Sequence, residues 1–394
     1  MPVYLLATLD TKGSEADYVR GRLNELGLSV EVVDTSCGNQ PGDRGQAVNA
    51  AAERAARVVS QVFCAGKVEG VMALGGSAGT TIGTAAMRAL PLGVPKVMVS
   101  TLASGQVRPW VGDKDVLMLN SVVDIAGLNR ISRTVLGEAA AAMAGMVKFR
   151  IADSNNPKSQ IPNPKSDRPL IAATMFGVTT PCVQQARKIL EEAGYEVLVF
   201  HATGNGGQAM ESLIREGLIA GVLDITTTEL ADELVGGILS AGPKRLTAAG
   251  EMGIPQVVSV GALDMVNFGP RETVPEKFAE RKFHVHNASV TLMRTTPAEN
   301  EQLGKEIARK VAAAKGPVAI MLPLQGVSAI DRAGQPFDDP LARAALYNAI
   351  RTHRQSTELI EIEAHVNDAA FAEGAAQKLV QMIASTAQSR TASR

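Results

Sequence analysis

The run Ala73-Leu74-Gly75-Gly76-Ser77-Ala78-Gly79-Thr80-Thr81 joins three glycines and three hydroxyl side chains where an apolar strand hands over to a helix. Val71-Met72-Ala73-Leu74 reads as a buried strand, and the stretch from Ile82 to Leu90 reads as a helix. Glycine lets backbone N–H groups approach an anion closely, and the positive end of a helix dipole favours negative charge there. The run lacks the lysine of a P-loop and the spacing of G-x-G-x-x-G, so it is an anion-site candidate outside those two templates.

Further polar residues fall on the predicted strand ends of the same half. Thr8-Leu9-Asp10-Thr11-Lys12-Gly13 follows the first strand, Asp34 the second, and Ser100, Thr101, Ser104 and Gly105 the fourth, with Asn120 at the end of the next. Nucleotide chemistry gives each a role. Lys12 would neutralise phosphate oxygens. The amides of residues 76–80 would cradle phosphates, with the Thr80 and Thr81 hydroxyls as further donors. Asp34 would accept from ribose hydroxyls. Asp10 or Asp124 would hold Mg²⁺ through water. The ordinary alternative is that these residues only turn the chain and cap helices.

The second half gathers other reactive side chains. His201 heads a glycine-rich loop, Ala202-Thr203-Gly204-Asn205-Gly206-Gly207-Gln208, which can hold a phosphate or carboxylate at the helix that follows. His284 and His286 form an H-x-H pair, and residues two apart on a strand share a face. With a carboxylate from Asp224, Glu229, Asp264 or Asp331 they would make a divalent-metal site, and Arg294 would grip a substrate carboxylate. Without metal, His201, His284, His286 and Glu229 remain candidates for acid–base work. Cys182, in a predicted first helical turn, is a nucleophile or a buried structural thiol. Thr226-Thr227-Thr228-Glu229 stands where the first half has its glycine run, and its β-branched side chains oppose close approach of a triphosphate.

These side chains need a scaffold, and the pattern supplies one. Strands over 3–8, 29–33, 68–74, 96–99 and 115–119 alternate with helices over 14–26, 46–63 and 124–146, which implies βαβ units and a parallel sheet covered on both faces. The proline-rich polar stretch 151–168 reads as a linker between an ATP-binding domain, 1–150, and a second domain, 169–394, with a candidate substrate pocket. The alternation then restarts with similar strands. Residues 3–8 match 170–174, 27–34 match 194–201, 70–74 match 221–225, and 93–100 match 253–260. The expected fold class is therefore α/β, two Rossmann-like domains with parallel sheets covered by helices, and an internal duplication is one reading of the matches.

Composition narrows the class. A net charge of -1 over 394 residues leaves no basic field for nucleic acid or an anionic membrane, and 4% aromatics supply no base-stacking platform. Three scattered cysteines favour neither a disulfide scaffold nor a cysteine zinc site. The first residues read as a strand rather than a signal peptide, and no apolar run reaches membrane-spanning length, so a cytoplasmic protein is expected.

Several blocks resemble the family of the tomato mosaic virus resistance protein and its bacterial and fungal relatives. They are Leu6-Ala7-Thr8-Leu9-Asp10-Thr11-Lys12-Gly13, Gly75-Gly76-Ser77-Ala78-Gly79-Thr80, Met175-Phe176-Gly177-Val178-Thr179-Thr180-Pro181, Phe200-His201-Ala202-Thr203-Gly204, the stretch from Gly261 to Phe268, and Pro323-Leu324-Gln325-Gly326-Val327-Ser328. The resemblance runs over nearly the whole chain. It implies two α/β domains, ATP with Mg²⁺ in the first, and a homodimer, and it carries no reaction. The expectation is a two-domain ATP-binding enzyme acting on a small anionic metabolite at the cleft between domains. Its rivals are a non-catalytic ATP-regulated binding protein and a metal-dependent hydrolase or lyase centred in the second domain.

Overall fold

A computed structural model describes residues 1–37, 44–154 and 168–392. They fall into two compact units, Met1–Pro162 and Asn163–Arg394.

The first unit runs β1 (Val3–Ala7), α1 (Leu9–Glu25), β2 (Val30–Asp34), α2 (Arg44–Cys64), β3 (Gly70–Gly75), α3 (Ser77–Arg88), β4 (Lys96–Ser100), α4 (Arg108–Val111), β5 (Leu117–Asn120) and α5 (Arg130–Ser154). Its sheet has the order β2-β1-β3-β4-β5 with every pairing parallel. Parallel strands buried on both faces read as continuous apolar runs, and β1, β3 and β4 are buried throughout. Alternate side chains feed opposite layers. Val3, Leu5 and Ala7 pack with α1 and α5, whereas Tyr4 and Leu6 pack with α2 and α3.

The helix expected to begin at Ser14 begins at Leu9, with a kink at Lys12 (φ -128°, ψ 19°). The helix expected over 124–146 starts later and continues into the stretch read as linker, to Ser154. Residues 155–167 of that stretch, and 38–43 of the loop before α2, lie outside the described residues.

The second unit runs β6 (Leu170–Met175), α6 (Thr180–Glu192), β7 (Glu196–His201), α7 (Asn205–Arg215), β8 (Gly221–Thr226), α8 (Glu229–Val235), α9 (Ala248–Met252), β9 (Gln256–Gly261), β10 (Met265–Phe268), β11 (Phe283–Asn287), β12 (Val290–Arg294), α10 (Pro297–Ala312), β13 (Val318–Pro323), α11 (Pro340–His353), β14 (Glu358–Ile362) and α12 (Ala369–Ala392). Its main sheet, β7-β6-β8-β9-β13-β14, is also all parallel. The four sequence matches fall on β1 and β6, β2 and β7, β3 and β8, and β4 and β9, which hold equivalent places in the two sheets. The second unit adds a small antiparallel sheet, β10-β12-β11, which the sequence pattern does not announce. No described helix is long and apolar enough to cross a membrane.

Candidate functional site

In a sheet of this order the strand order reverses between β1 and β3, and ligands bind outside the carboxyl ends there. In the first unit those ends are the Thr8–Lys12 turn and the glycine run. Two helices begin at this point, and their N-termini differ. At α1, Asp34 Oδ1 accepts from the Leu9 N–H at 3.2 Å, and Ser36 Oγ accepts from the Asp10 N–H at 3.2 Å. Asp34 Oδ1 also accepts from the Ser36 N–H and hydroxyl at 2.9 and 2.5 Å, and these bonds hold its carboxyl below the usual range. The α3 N-terminus has no side-chain cap, and Ser77 is exposed. The amides of residues 77–79 have no partner within their own helix, as for any first turn. Among the described residues, the first turn of α3 therefore keeps amides that no side chain engages.

The glycines of the run divide their work. A Cβ on Gly75 would stand 2.8 Å from Gly79 Cα, one on Gly79 3.1 Å from the Leu74 carbonyl oxygen, and one on Gly83 2.5 Å from Ala73 Cβ. This four-residue spacing lets α3 lie directly on β3. Gly76 differs, because a Cβ there meets only Thr101 Oγ1 at 3.7 Å, an ordinary contact. The hydroxyls are drawn inward. Thr80 Oγ1 lies 2.7 Å from both the Gly76 carbonyl oxygen and Ser100 Oγ, and Thr81 donates to the Ser77 carbonyl at 3.0 Å. Lys12 donates to the Ile125 carbonyl, tying α1 to the loop after β5. Asp10, Thr11, Ser104 and Gly105 are exposed, Thr101 and Asn120 half-buried.

The equivalent position of the second unit is closed. Thr226, Thr227 and Thr228 are fully buried, and Thr226 Oγ1 lies 2.8 Å from Thr179 Oγ1. The glycine-rich loop after β7 does hold an anion, the chain's own Glu229. Its Oε1 accepts from the Gly204 and Gly207 amides at 2.7 and 3.1 Å, and its Oε2 meets Arg245 Nε at 2.6 Å. Arg245 is buried and grips Asp224 with both terminal nitrogens, at 2.5 and 2.6 Å. Glu211, 3.6 Å from that guanidinium, accepts from the amides of Leu246, Thr247 and Ala248. Burial raises the Glu229 carboxyl despite Arg245. Asp232, held by the Asn267 side chain and backbone amide, is pushed up to about 7 by burial.

A second buried cluster joins the Gly261–Phe268 and Pro323–Ser328 blocks. Ser328 donates to Asp264 Oδ2 at 2.8 Å, while Asp264 Oδ1 has no hydrogen-bond partner. Asp331 beside it accepts from Arg294, Arg343 and the Val327 amide. Burial, reinforced by the negative charge of Asp331, pushes Asp264 up to about 7. Arg294 is committed to the Phe337, Asp264 and Thr295 carbonyls as well as to Asp331, so its guanidinium is engaged within the fold. Cys182 is buried, and burial pushes its thiol up to about 12, the inert structural alternative.

The three histidines do not meet these carboxylates. His201, exposed at the end of β7, stacks on Phe176 with ring centroids 5.5 Å apart. His284 and His286 lie on β11, the edge of the small sheet. A register shift between Val285 and Asn287 interrupts the alternation that would align the two rings. His284 sits edge-on to Phe337 at 6.3 Å, and His286 is exposed. Among the described residues, no three His, Cys, Asp or Glu side chains are grouped as a metal ion requires.

Residues 36–152 match the N-terminal domain, and residues 168–383 the C-terminal domain, of the Uncharacterised protein family (UPF0261). The chain belongs to this family. A UPF0261 protein of Clostridium tetani is 47% identical over 97% of this chain and 98% of its own length. The ToMV susceptible protein tm-1(GCR26) of Solanum lycopersicum is 40% identical over 96% of the chain, which spans 55% of that protein. The ToMV resistance protein Tm-1(GCR237) of the same plant is 49% identical over 77% of the chain and 40% of its own length.

Sequence reasoning named Glu229, Asp224, Asp264, Asp331 and Arg294 but missed Arg245, the cation that organises the first three-carboxylate cluster. One signal was available. Asp224 interrupts the apolar strand Gly221-Val222-Leu223-Asp224-Ile225, and a carboxylate inside a buried strand demands a partner.

Proposed function

We propose that the first unit binds a nucleoside triphosphate, ATP with Mg²⁺, placing its phosphates on the N-terminus of α3. The supporting observation is the contrast among helix starts at carboxyl edges. Those of α1 and α7 have amides bonded by the Asp34 and Glu229 carboxylates, whereas among the described residues no side chain engages the first amides of glycine-led α3. Gly76 keeps the approach clear, and Lys12, one turn from the β1 end, would exchange its Ile125 carbonyl for phosphate oxygen. The exposed Asp10 would hold the Mg²⁺ hydration shell. Bound Mg²⁺ would neutralise phosphate charge.

Two substitutions separate ligand approach from packing. Gly76→Val adds a side chain beside the α3 amides where a Cβ meets only Thr101 Oγ1 at 3.7 Å. Its φ of -78° with ψ of -152° costs a β-branched residue some stability, so circular dichroism first checks that the variant folds, and its ATP binding should fall by at least about 100-fold. Gly75→Ala forces β3 and α3 apart, so it should lower the melting temperature as well. Calorimetric ATP titration of folded Gly76→Val is the deciding measurement, and wild-type affinity in that variant would remove the α3 assignment.

A further inference from the structure

His365 is a buried histidine whose two ring nitrogens both face backbone. Nε2 lies 2.8 Å from the Ser328 carbonyl oxygen, which only accepts. Nδ1 accepts from the Asn367 N–H at 3.1 Å. These partners fix the neutral Nε2–H tautomer. A second proton goes on Nδ1, where it points at the Asn367 N–H, donor against donor. Gly326 lies against the ring, and a Cβ there would stand 2.8 Å from His365 Cδ2. The turn that begins at His365 joins three carboxyl-edge loops. The His365 N–H donates to Asp368 Oδ2 at 2.9 Å, and the Val366 N–H donates to the Gly326 carbonyl at 3.0 Å, in the loop after β13. Asn367 Nδ2 donates to the Val178 carbonyl at 2.9 Å, and its Oδ1 accepts from the Cys182 N–H at 3.4 Å, in the first turn of α6. The Ala329 N–H reaches the same Val178 carbonyl at 3.0 Å. The loops after β6, β13 and β14 thus meet at one turn, and the turn depends on an uncharged imidazole.

We propose that His365 is an acid-sensitive latch of the second unit's carboxyl edge, a proton on Nδ1 breaking the 365–368 turn and freeing the loops after β6, β13 and β14 together. The charged groups that face the ring are engaged elsewhere. Arg332 and Asp368 pair with each other at 3.5 Å, and Asp331 is held by Arg294 and Arg343. Cys182, beyond Asn367, is a buried neutral thiol. Burial, aided by Arg332, holds the His365 imidazole below its ordinary value against the Ser328 carbonyl, Asp368 and Asp331. The folded turn therefore binds this proton less well than the opened turn does. Its stability is complete above the ordinary imidazole value of about 6.5 and is lost as pH falls below it. Asp264 hangs on the hydroxyl of the same Ser328 and titrates in the opposite sense. The loop after β13 is thus bracketed, loosened by His365 in acid and by Asp264 in base.

Hydrogen exchange read by mass spectrometry tests the latch on the full chain at about pH 7.5 and about pH 5, in wild type, His365→Asn and His365→Gln. Both replacements stay uncharged. Asparagine keeps an acceptor for the Asn367 N–H, and glutamine keeps a donor for Ser328. The quantity read is the ratio of wild-type to variant protection, in which intrinsic exchange and the Asp264 titration cancel. Expected is a ratio that falls on the order of tenfold from the higher to the lower pH in segments 176–182, 325–331 and 363–368 alike, while strands of the first unit keep a constant ratio. A ratio that is the same at both pH values overturns the proposal, and so does a change confined to 363–368. If neither variant folds, nitrogen-15 spectra of the wild-type histidine rings decide. One ring of the five still in the neutral Nε2–H tautomer at about pH 5.5 supports the latch, and five protonated rings overturn it.

Discussion

Arg245→Met should destabilise the second unit by about 3–5 kcal/mol, which is among the largest effects a single buried substitution can have. The guanidinium is the counter-charge for Asp224 and Glu229 at contact distance and for Glu211 at 3.6 Å, all in a buried setting. Methionine is shorter and uncharged, so buried Asp224 and Glu229 lose their cation and Glu211 keeps only Arg215. Removing one partner of a buried pair exposes the full desolvation penalty of the others. The consequences reach beyond the pair. Glu229 holds the loop after β7 through Gly204 and Gly207, and Glu211 holds the turn into α9. Urea unfolding followed by circular dichroism measures the loss. Lower pH should narrow it, because the stranded carboxyls can then take up protons, so their folded affinity for protons exceeds the unfolded one. A loss below about 1 kcal/mol would mean that the carboxylates are neutral or hydrated already.

Asp264→Asn should change the pH dependence of stability rather than merely its level. The Asp264 carboxyl is pushed up to about 7, well above the ordinary aspartate range, by burial and by Asp331. A folded-state pKa above the unfolded one means that the folded protein binds the extra proton. Stability is then greatest below the unfolded value and declines as pH rises towards about 7, levelling beyond it. The drop from this one group is on the order of a few kcal/mol. Asparagine keeps an acceptor for the Ser328 hydroxyl and never ionises. The stability of Asp264→Asn relative to wild type should therefore grow by a few kcal/mol between pH 4 and 7 and stay level above. Denaturant midpoints across that range check it. Asp232, also pushed up to about 7, contributes a decline of the same sign that both proteins share, so it cancels in the comparison. A constant difference at every pH would show that Asp264 ionises normally in the fold.

The parallel strands were legible because burial on both faces leaves continuous apolar runs, and the restart after the proline-rich stretch was legible because β6 to β9 repeat the types of β1 to β4. Strand ends were legible for the same reason, since polar residues break those runs. The partners of those polar residues were not. Arg245 lies 16 residues from Glu229 and 21 from Asp224, with no local period to connect them. The H-x-H pair carries a strand pattern, yet the register shift after Val285 is a tertiary property that alternation does not encode. The glycine run looked uniform, and only the packing of α3 on β3 separates Gly75 and Gly79, which seat the helix, from Gly76, which leaves its N-terminus open.

The central proposal is a nucleotide on α3, and calorimetric titration of ATP into the wild-type protein with and without Mg²⁺ tests it most directly. Expected is saturable one-to-one binding that Mg²⁺ strengthens and that Gly76→Val abolishes. The absence of heat and of any thermal shift at millimolar ATP with Mg²⁺ would contradict it.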